Sequence, residues 1–352
     1  MKSHWSVSAP KPELIGALAD QTSLTPAIVS ILVNRGFSDA GAIGEFVRPK
    51  LEHLEPPSAF AQMERFVGRL KAAIEKKQSI LLYGDYDVDG VSSTAMLYLY
   101  LRSLGVDCHA YLPNRFTDGY GLSKVSAERL AKTQYDLWIC LDNGSSSHDA
   151  IRFLADKQID VLVVDHHLSP SREDLPAAYA LLNPKLESFA PKSASMTTCG
   201  IVFKLIWAMA GDLTAAAPYL DLTALGTVAD VADITGDNRI LTRLGLAALR
   251  STKRVGLVAL MRTSQILPAF LSAKDIAFSL SPMINAAGRL GTPDEAFKLL
   301  TTQNPLEAAN LAKLLAQNNL ERQKIERTAY EEAVELIEED PVAAQQNILV
   351  VE

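Results

Sequence analysis

The sequence predicts an α/β fold: a mostly parallel, doubly wound sheet, with a helical N-terminal lead-in and a long C-terminal connecting helix. Three observations predict it. Short apolar runs, Ile80 to Tyr83, Leu137 to Leu141 and Val161 to Val164, read as buried strands. Each runs into a polar tip, and each tip is followed by a stretch with helical spacing. Strands that alternate with helices require right-handed crossovers, and such crossovers make neighbouring strands parallel.

The elements follow in order. Pro10 and Pro12 open a lead-in over residues 1–60, where Leu14, Ile15 and Leu18 repeat at helical spacing. Thr25-Pro26 starts a second helix through Ile28, Ile31 and Leu32, which Gly36 ends. Ala40 to Val47 is a short third helix broken by Arg48-Pro49, and Pro56-Pro57 marks a boundary. A main domain is expected over 61–303. It begins with a helix from Met63 to Lys77 that leads to the first strand, Ile80 to Tyr83. Ser92 to Leu104 reads as the next helix, Val106 to Leu112 as a second strand, and Ser123 to Thr133 as a helix. The strand Leu137 to Leu141 precedes a helix from His148 to Lys157, and Val161 to Val164 is the fourth strand. Helices are expected at Thr197 to Met209, Tyr219 to Val228, Leu241 to Leu249 and Gly256 to Met261, before a small-residue stretch, SPMINAAGRLG, at Ser281 to Gly291. Residues 304–340 are expected to form the connecting helix. Its stripe of Ile325, Ala329, Leu336 and Ile337 should be unusually exposed. Asn347 to Glu352 reads as a strand that begins and stops, so 341–352 is expected to be the first strand of a further, incomplete domain.

Composition narrows the class. The chain has 352 residues, 48% hydrophobic and 21% charged, ordinary for a globular protein with a sizeable core. No apolar run approaches a membrane span, and the first residues lack the apolar stretch of a secretory signal. Cys108, Cys140 and Cys199 are scattered and odd in number. They read as buried thiols in a reducing compartment, so a cytoplasmic protein without membrane attachment is expected. The formal net charge of −7 argues against a general electrostatic grip on duplex nucleic acid, though not against a local basic groove.

The polar tips carry the chemistry. In YGDYDVDGVSST, three carboxylates stand at every second residue: Asp85, Asp87 and Asp89. If the run stays extended they project to one side. Two such charges 4 Å apart repel by roughly 4 kcal/mol at an effective dielectric near 20. The run is then either a solvated turn with one Asp capping the next helix, or a site for a hard divalent cation. Ser92 and Ser93, at the expected helix start, either cap it or hold a phosphate. The other tips are Asp142-Asn143-Gly144 and Asp165-His166-His167, and Asp230 follows a helix. Ligands bind at the carboxyl ends of parallel strands, so the tips should converge although they are far apart in sequence. Oxygens with one or two imidazoles suit Mn²⁺, Mg²⁺ or Fe²⁺ better than structural zinc, and there are enough carboxylates for two ions sharing a ligand.

DHH at 165–167, with DYDVDG, LDNG and GTVAD, resembles the DHH phosphoesterase superfamily. Within it, VNRGFSD, PNRFTDGYGLS and INAAGRLG resemble, in order, the single-strand-specific 5′→3′ DNA exonucleases. The resemblance runs from about Trp5 to Glu352. It implies a DHH domain holding two divalent ions, Mn²⁺ or Mg²⁺, and hydrolysing single-stranded DNA from its 5′ end during repair and recombination. The implied ligands are Asp85, Asp87, Asp89, Asp142, His166 and Asp230, with Asp142 bridging. Asp142, His166 and His167 are the implied catalytic residues. His167 is a ligand or a contact to the scissile phosphate, and Asp165 orients an imidazole from behind. Arg115 and Arg289 are implied substrate contacts, guanidinium forks being suited to phosphates. The implied state is a monomer, with a single-strand-binding protein or helicase as possible partners. Met283 stands where that branch has Arg, and Thr198-Cys199 where it has small residues. The branch also continues into a DHH-associated domain and an OB-fold, which this chain is not expected to contain. Two other readings compete: a hydrolase of short oligonucleotides, cyclic dinucleotides or pyrophosphate, and a non-catalytic module of a replication complex.

Overall fold

The computed structural model describes residues 10–168, 174–187 and 191–339. Three lead-in helices, α1 (Pro12–Thr22), α2 (Pro26–Asn34) and α3 (Ala40–Val47), pack round a small core of Leu18, Val29, Leu32 and Ile43. Next come α4 (Met63–Glu75), β1 (Ile80–Tyr83), α5 (Val88–Ser103), β2 (Cys108–Tyr111), α6 (Lys124–Leu130), β3 (Leu137–Leu141), α7 (His148–Asp156), β4 (Asp160–Val164) and β5 (Ala180–Leu182). The remaining segments are helical: α8 (Thr198–Ala210), α9 (Leu220–Ala229), α10 (Gly236–Arg250) and α11 (Val255–Thr263). A short α12 (Ala273–Asp275) runs through one π-turn into α13 (Ser281–Arg289), before α14 (Pro293–Thr301) and α15 (Pro305–Glu339).

The sheet has five strands in the order β2-β1-β3-β4-β5, and every pairing is parallel. Apart from the edge strand β2, its strands are buried on both faces. Ile80, Leu82, Ile139, Leu162 and Val164 pack with α4, α5, α8 and α9, whereas Leu81, Tyr83, Trp138, Cys140 and Val163 pack with α6 and α7. Period-two alternation is therefore present, but both sets are apolar because both faces are covered. All three cysteines are buried and free. No single helix among the described residues is long and apolar enough to cross a membrane.

Helices α12, α13 and α14 form where no helix was expected, and two further features differ from expectation. The helix after β1 starts at Val88, not at Ser92, because the Asp87 carboxylate accepts from the Gly90 N–H at 2.9 Å and caps it. The DxDxD run is therefore extended only as far as Asp87, and Asp89 lies in the first helical turn. The strand β5, three residues within a run of alanines and leucines, was not anticipated; it forms by edge pairing with β4, which a sequence window does not contain. The expected strand at Asn347 to Glu352 lies outside the described residues.

The helix α15 is capped by Asn304, whose Oδ1 accepts from Leu306 and Glu307. It docks through Ala308, Ala312 and Leu315, all buried. Further along, Ile325 and Leu336 are 56% and 48% exposed, Ala329 is exposed and Ile337 partly so.

A buried charge pair ties the sheet's helices to the lead-in. Lys204 on α8 is fully buried and reaches Asp237 on α10 at 2.6 Å and the Ser193 hydroxyl at 2.7 Å. Ser193 N–H and Oγ both donate to Glu55 in the lead-in. Removing one partner strands a buried charge. Lys204→Met should cost about 3–5 kcal/mol in urea unfolding, and Lys204→Met combined with Asp237→Leu should recover part of it. A single variant as stable as the parent would show that the pair is solvated.

Candidate metal centre

The sheet's strand order reverses between β1 and β3. Pairing of Tyr83 with Cys140, and of Leu141 with Val164, sets the tips of β1, β3 and β4 side by side at that crevice. Asp85 follows β1, Asp142 follows β3 and Asp165 follows β4. The Asp142 N–H donates to Val164 O and the Asp165 N–H to Leu182 O, so the ladder extends into the tips.

Three groups of ligand atoms lie here, each mutually within 4.8 Å: Asp85, Asp87 and Asp142; Asp142, His166 and His167; Asp89, His166 and Asp230. Asp142 and His166 each belong to two groups. The His166 Nε2 lies 3.3 Å from Asp142 Oδ1, 3.7 Å from Asp230 Oδ2 and 3.9 Å from Asp89 Oδ2. Yet, among the described residues, Nε2 has no hydrogen-bond partner, and neither has the buried Asp142 Oδ2. Orphaned buried polar atoms are rare and call for an explanation. Burial lowers the pKa of His166, favouring a neutral ring. The donor set, carboxylate oxygens with imidazole nitrogen and no thiolate, fits a hard or borderline divalent ion, which would satisfy both orphans at once.

The carboxylates are held against their repulsion. Asp142 has φ +68°, in the left-handed region, where Asp and Asn are the usual non-glycine residues. The next residue, Asn143, fastens the turn by donating from Nδ2 to Gly84 O at 2.9 Å and Leu141 O at 3.0 Å. Asp89 accepts from the Thr198 N–H at 2.7 Å and the Cys199 N–H at 3.0 Å, the free donors of the α8 N-terminus. The Thr198 hydroxyl donates to Asp142 Oδ1 at 2.8 Å, so one residue fixes two of the acids. A Cβ at Gly226 would lie 2.7 Å from Asp89 Oδ1 and 2.4 Å from Cys199 Sγ, so glycine in GTVAD admits Asp89 to this space.

Burial, and then Asp87, raise the pKa of Asp85 to about 7. Burial leads in raising Asp89 and Asp230 to about 6, and it carries Asp142 well above the usual range. Asp165 moves the other way. Burial opposes its ionisation but is outweighed by hydrogen bonds from His167 and from the Ser145 backbone. Its Oδ1 accepts from His167 Nδ1 at 2.8 Å. That bond raises the pKa of His167 and turns Nε2 toward the Tyr120 hydroxyl, 3.0 Å away.

Several expected residues lie elsewhere. Ser92 and Ser93 are fully buried inside α5, and Ser93 Oγ donates to Gly90 O. They offer nothing to a phosphate, because the Asp87 cap starts the helix one turn earlier. Arg115 and Arg289 are exposed and make no ion pair among the described residues; Arg115 Cζ is 6.0 Å from the Tyr86 ring centroid, and the charges of both oppose the rise that burial gives the Tyr86 pKa. Met283 faces the core, 5% exposed, with Ser264 Oγ donating to its sulfur. Thr198, Asn143, Tyr120 and Asn285 were not anticipated. Asn285 Oδ1 accepts from the Val88 N–H at 3.1 Å and thereby docks α13 on the start of α5. Only the phrase INAAGR signalled that helix, and Thr198 showed itself only as a larger residue than expected.

Known proteins resemble this chain in sequence and in fold. The family model "DHH family, N-terminal domain" matches residues 79–227. The chain is 33% identical over 338 residues to the single-stranded-DNA-specific exonuclease RecJ of Bacillus subtilis, covering 96% of this chain and 42% of that protein. It is 36% identical over 335 residues to the RecJ of Escherichia coli, covering 91% and 58%. The crystal structure of Thermus thermophilus RecJ in complex with Mn²⁺ superposes with a TM-score of 0.80 at 29% identity, over 93% of this chain and 46% of that one. An exonuclease RecJ bound to manganese gives 0.72 at 32% identity, over 78% and 69%. The chain spans about half the length of the curated relatives it matches.

Two outcomes are expected. In the metal-free protein the raised carboxylates stabilise the fold only while protonated. That contribution is present below about pH 4 and lost as pH rises through 6 to 7. The increase in Tm on adding Mn²⁺ over EDTA should therefore grow between pH 5 and pH 8, and a shift that shrinks over this range would contradict the site. Thr198→Val should weaken Mn²⁺ binding about tenfold by calorimetry, while Thr198→Ser should leave it within about twofold. Equal affinities for Val and Ser would show that the hydroxyl does not matter.

Proposed function

The chain belongs to the DHH family, in its RecJ branch, and on that premise we propose that it is the catalytic part of a two-metal phosphodiesterase that removes nucleotides from the 5′ end of single-stranded DNA. One observation carries the reading. Five carboxylates and an imidazole share a single crevice, with Asp142 Oδ2 and His166 Nε2 buried and unpartnered. Asp85, Asp87 and Asp142 would hold one ion and Asp89, His166 and Asp230 the other, with Asp142 Oδ1 3.3 Å from His166 Nε2 between the two sets. When bound, Mn²⁺ or Mg²⁺ supplies Lewis-acid activation of water and neutralises charge at the phosphate.

The chain's own groups do the rest. Asp165 fixes the His167 tautomer, so Nε2 faces outward on a ring whose side chain is 41% exposed. Protonated there, His167 donates to a phosphate oxygen, and the raised pKa supports that form. Arg115 and Arg289 stand near Tyr86, and their forks, in no ion pair among the described residues, match phosphate oxygens in two directions. The relatives' names supply the single-stranded DNA and the exonuclease action. A monomer acting in the cytoplasm, beside a single-strand-binding protein or a helicase, extends the same reading, and the three buried thiols suit a reducing compartment.

The test is release of nucleotides from single strands labelled at either end, with Mn²⁺. Mononucleotides should appear from the 5′ end first. Asp142→Asn should lower the rate on the order of a thousandfold with an unchanged far-UV spectrum. Turnover within about twofold of the parent would remove Asp142 from the centre; release from the 3′ end would overturn the polarity.

A further inference from the structure

A second polar concentration lies away from the crevice, in a pocket of about 410 Å³ where the lead-in meets the start of α10. None of its lining residues belongs to the metal centre. Arg35, just past α2, and Arg239, on α10, line it, with the rings of Phe37 and Phe46 beside them. Arg243, one helical turn beyond Arg239, adds a third guanidinium close enough to repel it.

The cations are uncompensated. Among the described residues no carboxylate pairs with Arg35, Arg239 or Arg243. The carboxylate that lines the pocket, Glu45, is taken by Lys192 at 2.7 Å. Arg239 Nε is buried with no hydrogen-bond partner. Phe46 covers one face of the guanidinium, 4.3 Å from Cζ to the ring centroid, but a ring face accepts none of its in-plane donors. Burial, then Arg243 and Arg35, lower the pKa of Arg239. Three like charges gathered beside a cavity, on a chain with net charge −7, are the reverse of what surface electrostatics alone would leave.

We propose that Arg35 and Arg239 bind a phosphate group carried by a nucleotide, at a site separate from the metal centre, with Arg243 adding positive charge nearby. The guanidinium fork matches phosphate oxygens, and an anion there would cancel the mutual repulsion. Phe37 and Phe46, 4.8 Å apart, give the sugar or base an apolar neighbour. The phosphate rests on the arginines alone, and the nucleotide rests on the function proposed above. Its source is either a free mononucleotide, the product of that reaction, or a phosphodiester of a bound strand.

The chain, stripped of metal with EDTA, is titrated at low salt with inorganic phosphate, dTMP and a labelled single-stranded oligothymidylate. Phosphate should bind, and Arg35→Gln with Arg239→Gln should weaken it about tenfold or more, whereas Arg262→Gln, on α11, should not. Arg35→Gln alone, at an exposed position, should weaken it several-fold and keeps the test valid if the double variant fails to fold. A second readout is Tm. Phosphate should raise it in the parent but not in the double variant. Tighter binding of dTMP than of phosphate identifies the free product; a preference for the oligothymidylate identifies the strand. Absence of phosphate binding by the parent, or binding unaltered in both variants, overturns the site. Because no metal is present, either result leaves the proposed hydrolysis untouched, and loss of hydrolysis in Asp142→Asn leaves this site untouched.

Discussion

Everything around the crevice answers one constraint: five carboxylates must be kept close together, three of them buried and two partly so. Left alone they would move apart or take up protons, and the raised pKa values of Asp85, Asp89, Asp142 and Asp230 record that pressure. The fold resists it with backbone more than with counter-charges. Asp89 leans on the free N–H groups of α8, and Asp142 is pinned by a left-handed turn and a hydroxyl. Asp87 spends part of its charge on capping α5. Dipoles of this kind hold an anion without neutralising it, so the cluster's charge stays available to a cation.

These supports have supports. α8 supplies donors to Asp89 only while its axis is fixed, and the buried Lys204–Asp237 pair fixes its middle against α10 and, through Ser193 and Glu55, against the lead-in. α13 plays the corresponding part on the other side: Asn285 steadies the start of α5 while Arg289, four residues on, reaches the surface. The crevice is therefore tensioned from two helices that enter the chain more than a hundred residues after the first aspartate.

The tips were legible because they are local. Ile80 to Tyr83, Leu137 to Leu141 and Val161 to Val164 each carry their polar residues directly behind them, and parallel topology then obliges those residues to meet. What escaped was set by contacts over long separations. Thr198 matters because Asp89 and Asp142 arrive beside it, and nothing in TTCG says so. Tyr120 is one of ten tyrosines until His167 stands against it. The start of α5 was misplaced for a different reason: an Asp in an acidic run can cap a helix with one oxygen, and Asp87 Oδ1 does so, which drew Ser92 and Ser93 into the interior. β5 is too short to have a period of its own and exists because β4 offered an edge.

The left-handed backbone at Asp142 narrows what this position can be. The φ of +68° suits Gly, Asn and Asp and penalises every other side chain, most of all the β-branched ones. The chemistry asks for a carboxylate, which leaves Asp and Glu. The two requirements, one steric and one electrostatic, are met best by Asp. Drift at residue 142 is thus disfavoured from two independent directions, though this backbone conformation does not forbid other side chains, since Gln158 and Val231 adopt it elsewhere in the chain. A lineage that gave up the charge while keeping the shape would pass through Asn, and a lineage that gave up both would pass through Gly, so the residue found here in any descendant reports which of the two demands was relaxed.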